Sequence, residues 1–159
     1  MLTQVSKGRA VLNGVPVKAE RVSLSSYKAG QFFIRAYVNC HGYVQYEVLR
    51  IVGKPYKSDS KYVSNQRIMT LPAYRSSYNN PYFVSDLGLM YDEDVGDVAV
   101  YRYTAKTIQL IEHLANDQDV PNALRFIRGF ETAEEIREEI LDMAMTKEYD
   151  DELDNYYYN

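Results

Sequence analysis

Between residues 31 and 82, basic side chains are interleaved with aromatic rings. In the stretch "QFFIRAYV", Phe33, Arg35 and Tyr37 recur with period two, so a strand would place them on one face. Cations can hold phosphates, and rings stack on unpaired bases at ~1–3 kcal/mol per base. The pattern therefore favours single-stranded nucleic-acid binding. The residues predicted to contact the polymer are Arg35, Tyr37, Lys54, Tyr56, Lys57, Tyr62, Arg67, Tyr74 and Arg75.

The same pattern also has a structural interpretation. Phe33 and Tyr37 would then point into a barrel core, and the lysines would only keep a loop soluble. Basic and aromatic patches are common in nucleic-acid-binding proteins but are not specific to them. The residues alone leave both interpretations open.

The charge of the chain is divided between its two halves. Residues 1–83 carry 12 Lys and Arg against 3 Asp and Glu, a net charge of +9. Residues 84–159 carry 6 against 19, a net charge of −13, and the whole chain has −4. Such asymmetry is typical of nucleic-acid contact by one half and competition or recruitment by the other. Attraction between the two halves of one folded chain is the alternative.

The chain closes with "EYDDELDNYYYN", an acidic run followed by three tyrosines. This layout resembles that of bacterial and phage single-stranded DNA-binding proteins of the OB-fold type, although the helical stretch 104–147 is not part of a bare OB-fold. The resemblance implies a tail that competes for the cationic groove and docks other proteins. Alternatively, the tyrosines pack on the protein's own body or on a neighbouring subunit. The residues predicted to dock a partner are Asp150, Asp151, Glu152, Asp154, Tyr156, Tyr157 and Tyr158.

A second acidic cluster, "DEDVGD", could hold a divalent cation through hard carboxylate oxygens. The EF-hand pattern fails there, because Gly96 is fifth instead of sixth and Tyr103 occupies the position of the bidentate glutamate. We interpret the cluster as an acidic hairpin turn. A metal-dependent hydrolase built on Asp92, Asp94 and Asp97 is the weaker alternative.

Other catalytic signatures are weak. Cys40 and His41 are neighbours in a predicted turn with no orienting acid, and His113 is predicted near the end of a helix. The sequence has no glycine-rich phosphate loop, no paired Cys-x-x-Cys and no convincing Ser-His-Asp layout. We therefore expect no enzyme activity, no cofactor and no metal.

The elements that would position these residues are strands first and helices afterwards. Asn13-Gly14 predicts a first hairpin, the alternation in "RVSLSSY" predicts a strand after it, and residues 31–52 predict a longer hairpin. Residues 53–83 are predicted as a long excursion with one strand around "QRIMTL". The predicted fold class is α+β: a barrel-like or curled antiparallel sheet of about five to seven strands within residues 1–103, then three helices within 104–147. The single domain is predicted over 1–147, and an acidic, tyrosine-rich tail over 148–159 follows it.

Three helix starts and ends are visible in the sequence. Thr104 is the predicted N-cap of the first helix, Pro121 and Gly129 bracket the second, and Thr132 with Glu135 has capping-box spacing. The predicted apolar stripes are Ile108, Ile111, Leu114 and Ala115 in the first helix and Ile136, Ile140, Met143 and Met145 in the third.

These features predict a non-enzymatic single-stranded nucleic-acid-binding protein with a regulatory or partner-docking tail. The alternative is a protein that acts through protein contacts, as an inhibitor that imitates nucleic-acid charge or as a subunit of a larger assembly. A single cysteine, no signal peptide and no membrane span predict a cytoplasmic protein with no membrane partner. The short tyrosine-rich chain is also compatible with a phage or other viral protein in the host cytoplasm. DNA or RNA preference and homo-oligomerisation stay open.

Overall fold

The computed structural model describes residues 1–22, 28, 30–51, 56–59, 67–75, 81–85, 97–130 and 132–158. Side chains are described for the same residues outside 51–85 and 149–158. The strands precede the helices along the chain, which confirms the predicted α+β order. No helix in the described part of the chain is both long enough and apolar enough to cross a membrane.

The first sheet contains three antiparallel strands, β1 (Leu2–Ser6), β2 (Arg9–Leu12) and β3 (Val15–Lys18). Asn13 and Gly14 turn the chain between β2 and β3 with φ of 50° and 78°. Asparagine and glycine tolerate these left-handed angles better than other residues, so the predicted hairpin is confirmed. The sequence interpretation missed β1.

The second sheet is also antiparallel. Its strands are β4 (Phe32–Val38), β5 (Val44–Ile51), β6 (Tyr56–Asp59), β7 (Arg67–Arg75), β8 (Pro81–Ser85) and β9 (Asp97–Arg102). Strands β5, β4 and β9 lie side by side, and β7 extends the sheet beyond β5 and pairs with both β6 and β8. The hairpin predicted over 31–52 is confirmed as β4 and β5. The strand predicted around "QRIMTL" is confirmed as β7, but the interpretation of residues 53–83 missed β6 and the first residues of β8.

Of the predicted barrel-like or curled sheet, the barrel is wrong, since the described strands form two open sheets. The outer edge of β9 is occupied by the connection that leaves β3. Val22 donates its N–H to Val100, and Arg102 donates to Glu20, at 2.9 and 2.8 Å. Arg21 forms a bridge with Tyr101. This segment occupies the edge that a closing strand would need. Residues 23–27 of the strand predicted in "RVSLSSY" lie outside the described residues.

The helices are α1 (Ala105–Asn116), α2 (Val120–Arg128) and α3 (Ala133–Tyr158). The Thr104 side chain caps α1 by accepting the N–H of Thr107, as predicted. Gly129 ends α2 with φ of 73°, and Thr132 accepts the N–H of Glu135 at the start of α3. The backbone of α3 continues to Tyr158, so the segment predicted as a separate tail is helical.

One face of the second sheet packs against α1 and α2 and forms the core. Ile34 and Val38 of β4 are fully buried there with Tyr101 of β9. From the helices come Leu110, Ile111, Leu114, Leu124, Phe126 and Ile127. Each large apolar side chain buried in this way contributes ~1.5–3 kcal/mol. The first sheet adds Val5, Ala10 and Val17 to the same core.

The C-terminal end of α2 joins three parts of the fold. The carbonyl of Phe126 accepts the N–H of Gly8 at 2.8 Å and the hydroxyl of Tyr101 at 3.4 Å. The guanidinium of Arg21 donates to the next carbonyl, that of Ile127. The last carbonyls of a helix have no partner within the helix, so donors from elsewhere satisfy them. The turn between β1 and β2, the edge segment and β9 are thereby fixed to one helix end.

Helix α3 is attached near its start and middle. Glu139 lies 3.4 Å from the guanidinium of Arg128 in α2, and that guanidinium also lies 3.1 Å from Asp97 in β9. Met143 packs against Gly42 in the turn between β4 and β5. The Lys147 ammonium lies 4.3 Å from the ring centroid of Tyr43 in the same turn. Of the predicted stripe, Ile136, Ile140 and Met143 are half-buried, whereas Met145 is exposed.

Gly129→Ala tests the junction at the end of α2. A Cβ at residue 129 would lie 2.9 Å from the Cβ of Lys7 and would also hold an unfavourable positive φ. We expect a loss of about 2–3 kcal/mol of unfolding free energy, measured by urea denaturation.

Gly14→Ala is the matched control, because residue 14 has a similar φ of 78° and no atom within 4 Å of the place that a Cβ would occupy. It should lose only about 1 kcal/mol through backbone strain. Equal losses of unfolding free energy in both variants would show that Lys7 does not pack closely against residue 129.

The half-buried carboxyl of Asp97 makes stability depend on pH. Burial raises its pKa above 3.8, against the lowering effect of Arg128, and Glu139 raises it further. A folded-state pKa above the unfolded value means that the folded state binds the proton more tightly, so stability falls as pH rises from 3.8 through the folded pKa. Asp97→Asn cannot titrate. The unfolding free energies of Asp97→Asn and the wild type are measured by urea denaturation at several pH values across this window. The value for Asp97→Asn minus that for the wild type should increase as the pH rises, and a difference that does not change with pH would contradict the assignment.

Candidate nucleic-acid interface

Two of the nine residues predicted to contact nucleic acid are in the interior. Arg35 is 0% exposed and Tyr37 is 6% exposed, so the expectation that they face outward is wrong. Strand β4 has β5 on one side and β9 on the other, and both of its faces are covered from Phe33 to Val38. Period-two alternation shows which side chains share a face, but not whether that face meets water.

Arg35 makes a structural contact at this position. Its guanidinium lies 3.7 Å from the carboxylate of Glu47, the residue directly opposite it on β5, and 4.1 Å from the ring centroid of Tyr37. Within the described residues its nitrogen atoms make no hydrogen bond. A buried guanidinium is costly to desolvate, and the carboxylate and the ring both offset that cost. This geometry ties β4 to β5.

The other predicted contacts lie on β6 and β7 or outside the described residues. Tyr56 and Lys57 belong to β6, and Arg67, Tyr74 and Arg75 belong to β7, which pairs with β6. The backbone register places Tyr74 opposite Arg50 and Arg75 opposite Leu49 of β5. Lys54 and Tyr62 lie outside the described residues. Contact between any of these residues and a polymer stays a prediction.

At one end of the second sheet, two aromatic rings are exposed side by side. Phe32, the first residue of β4, is 48% exposed, and Tyr103, which follows β9, is 45% exposed. Their ring centroids are 6.4 Å apart and the ring planes are tilted by 58°. Arg50 is exposed on β5 directly opposite Phe32. We call Phe32, Arg50, Tyr103 and the nearby Lys106 the aromatic rim.

The chain positions the rim where three elements end. Phe32 begins β4, Arg50 lies near the end of β5, and Tyr103 separates the end of β9 from the N-cap of α1. The sheet ends here and the chain continues into helix α1. Phe32 and Tyr103 are therefore exposed, whereas their neighbours Phe33 and Tyr101 are buried. The register then continues across β5 to the backbone of Tyr74.

The rim has a positive electrostatic character. Lys106 is exposed in the first turn of α1, and that turn contains no acidic residue. The N-terminal end of a helix also carries partial positive charge, which favours anions nearby. The neighbouring Arg102 is paired with Glu20 at 3.3 Å, so those two charges largely cancel. The arrangement can stack a flat base and attract its phosphate.

Sequence interpretation did not name Phe32 and Tyr103, the two rings of this candidate site. Phe32 falls in the alternating stripe of Ile34, Ala36 and Val38, a pattern that predicts a core face. Their position in the sequence could have indicated exposure, because each ring lies at the end of a predicted strand, next to a polar residue or an N-cap. Side chains at such ends are the least covered by a neighbouring layer.

The residues predicted to dock a partner lie along the last turns of α3. The backbone from 150 to 158 is helical, and the side chains there are outside the described set. Their docking role stays a prediction.

The weaker chemical alternatives gain no support. Asp92 and Asp94 lie outside the described residues, and Asp97 pairs with Arg128. Among the described residues, no group of three or more His, Cys, Asp or Glu side chains could hold a metal ion. The backbone of His41 donates to the Asn39 side chain in a turn, and His113 lies 3.3 Å from Asp117 one helical turn away.

No protein-family model matches the chain, and neither the curated proteins nor the solved structures contain a significant match.

Proposed function

We propose that the protein binds single-stranded nucleic acid without catalysing a reaction, and that the aromatic rim is its contact surface. The observation that carries this proposal is the exposed Phe32–Tyr103 ring pair, with Arg50 in register beside it. Exposed rings next to cations are the combination that single strands require, because bases stack while phosphates are neutralised.

The geometry suits an unpaired base better than a duplex. The two rings are tilted and 6.4 Å apart, so a base can lie against the outer face of either ring. A duplex hides its base faces, and only its backbone could approach the rim. Arg50 and Lys106 then supply phosphate contacts on either side of the stacked base.

The proposed surface continues toward residues named from the sequence. Tyr74 lies opposite Arg50 in the backbone register, so the row Phe32, Arg50 and Tyr74 crosses three adjacent strands. In this proposal the strand of nucleic acid runs along that row. The acidic C-terminal part of α3, residues 148–158, stays the proposed docking segment for another molecule.

A second function is favoured by the outer surface of α3. Leu141 and Met145, one helical turn apart, are 63% and 69% exposed. Helix α3 carries ten acidic residues against two basic ones, so the apolar pair lies in a strongly negative surrounding. A second copy of the chain supplies the opposite charge, because its first 83 residues carry a net charge of +9. This function is that of a subunit in an assembly that joins α3 of one copy to the basic half of the next.

The first proposal predicts that the double variant Phe32→Ala, Tyr103→Ala binds a labelled single-stranded oligonucleotide about tenfold more weakly or worse, since each stack contributes ~1–3 kcal/mol. Fluorescence anisotropy at two salt concentrations measures the affinity. The affinity of the wild type should fall steeply with salt, because binding releases counterions.

Tyr43→Ala is the matched control, because Tyr43 is 38% exposed at the opposite end of β4 and β5. Its affinity should equal that of the wild type. If the wild type does not bind at low salt, or if Tyr43→Ala and the rim variant weaken binding equally, the rim is not the contact surface.

The second function predicts that Leu141→Gln, Met145→Gln abolishes self-association. The wild type should show a mass that increases with protein concentration at about 0.05 M salt and decreases at about 0.5 M, because salt screens the attraction between surfaces. Light scattering coupled to size exclusion measures the mass. Arg137→Gln, an exposed change on α3 that leaves the apolar pair intact, should still associate; a monomeric wild type at every concentration would eliminate this function.

A further inference from the structure

The outer face of the first sheet contains an open depression of about 430 Å³. Val5, Ala10 and Val17 point inward to the core, and the alternate residues point outward. The depression is lined by Gln4, Ser6, Arg9, Val11, Pro16 and Lys18. It therefore spans all three strands of this sheet. Its volume is in the range of ~300–1,000 Å³ typical of small-molecule sites.

Two cations face each other across this depression. Arg9 on β2 and Lys18 on β3 are direct partners in the register, and both are exposed. Like charges in this arrangement destabilise a sheet. Within the described residues neither side chain makes an ion pair, and Glu20, the acid nearest to Lys18 in sequence, is paired with Arg102. The repulsion between Arg9 and Lys18 is thus left for an anion to offset.

Strand β1 brings polar groups to the same place, and its backbone is strained there. The register between β1 and β2 shifts between Thr3 and Ser6, as in a β-bulge, and Ser6 then lies opposite Arg9. Gln4, within the shifted segment, has φ of 51°, a left-handed angle that glutamine rarely adopts. Bulges re-aim side chains near functional sites, and strained residues concentrate there. Here the shift leaves Gln4 and Ser6 lining the depression beside the two cations.

An apolar pair lies next to the charged end. Val11 and Pro16 are direct partners in the register of β2 and β3, one pleat away from Arg9 and Lys18. A ligand that fits this depression has a negative group for the cations and a flat or apolar part for Val11 and Pro16. Nucleotides have both parts.

We infer that the outer face of the first sheet is a phosphate-binding site, in which Arg9 and Lys18 hold the phosphate, Ser6 and Gln4 donate hydrogen bonds to it, and Val11 with Pro16 contacts the group that carries it. The phosphate can belong to a free nucleotide or to a nucleic-acid strand. The site is independent of the aromatic rim and does not rest on the proposed function.

The decisive experiment titrates the full-length chain with inorganic phosphate and follows backbone amide shifts by NMR. The expected result is saturable shifts at the amides of Ser6, Arg9 and Lys18, beyond those caused by sodium chloride at matched ionic strength. In Arg9→Gln, Lys18→Gln the affinity should fall about tenfold or more, because hydrogen bonds to charged groups are strong. The control Lys28→Gln, Arg137→Gln, with two exposed cations changed outside both the depression and the aromatic rim, should titrate like the wild type.

Gln4→Gly provides a second, independent variant. Glycine adopts the left-handed angle without strain, so this change should raise the melting temperature by about 2 °C while it weakens phosphate binding. A merely structural role of Gln4 would leave phosphate affinity unchanged, and that result would remove Gln4 from the site.

Adenosine monophosphate and a short oligonucleotide distinguish the two sources of the phosphate. Tighter binding of the mononucleotide assigns the site to free nucleotides, and tighter binding of the oligonucleotide assigns it to a strand. Phe32→Ala, Tyr103→Ala should leave the phosphate titration unchanged, so failure of the rim and failure of this site are separable. Shifts that sodium chloride reproduces, or that survive Arg9→Gln, Lys18→Gln, would overturn the inference. The inference would also be overturned if Arg9→Gln, Lys18→Gln lost self-association and kept phosphate binding. In that case the outer face of the first sheet would bind α3 of another copy.

Discussion

The structure depends on how the last carbonyls of α2 are satisfied. A nine-residue helix ends in carbonyl groups that its own backbone leaves without partners, and here the donors come from three separate parts of the chain. Gly8, Arg21 and Tyr101 all donate to the carbonyls of Phe126 and Ile127. Burial raises the pKa of Tyr101 to about 12, with Arg21 acting in the opposite direction, so the hydroxyl keeps its proton for this bond. One helix end thus determines where the first sheet lies relative to the second.

This docking also determines which surfaces are available for binding. The edge of β9 is covered by residues 20–22, and both faces of β4 are buried from Phe33 to Val38, so neither this edge nor β4 itself is open to a ligand. Arg35, opposite Glu47, holds strands together there instead of meeting solvent. Among the described residues, the end of the sheet at Phe32 and Tyr103 and the outer face of the first sheet are exposed. Both surfaces are basic or have cations beside them, whereas α3 is acidic.

Local features were predictable from the sequence because short-range contacts determine them. The Asn13-Gly14 turn, the Thr104 cap and the Gly129 helix end all follow from residues within a few positions of one another. The sequence did not indicate that the sheets stay open, because this depends on a connecting segment that occupies the edge of β9. The burial of Arg35 and the exposure of Phe32 likewise depend on what covers a face, and alternation contains no information about that. Exposure of the candidate site therefore had to come from the structure, and its contact with nucleic acid stays a prediction.

The helical backbone of the C-terminal segment changes how its charge can act. A flexible acidic tail could fold back and compete for a cationic groove of its own chain. Helix α3 runs without a break from Ala133 to Tyr158, about 39 Å at 1.5 Å per residue, and is anchored at Glu139, Met143 and Lys147. A continuous helix cannot reverse direction, so the residues after Lys147 extend along its axis by about 16 Å. Their negative charge therefore favours contacts with another molecule over competition within the same chain.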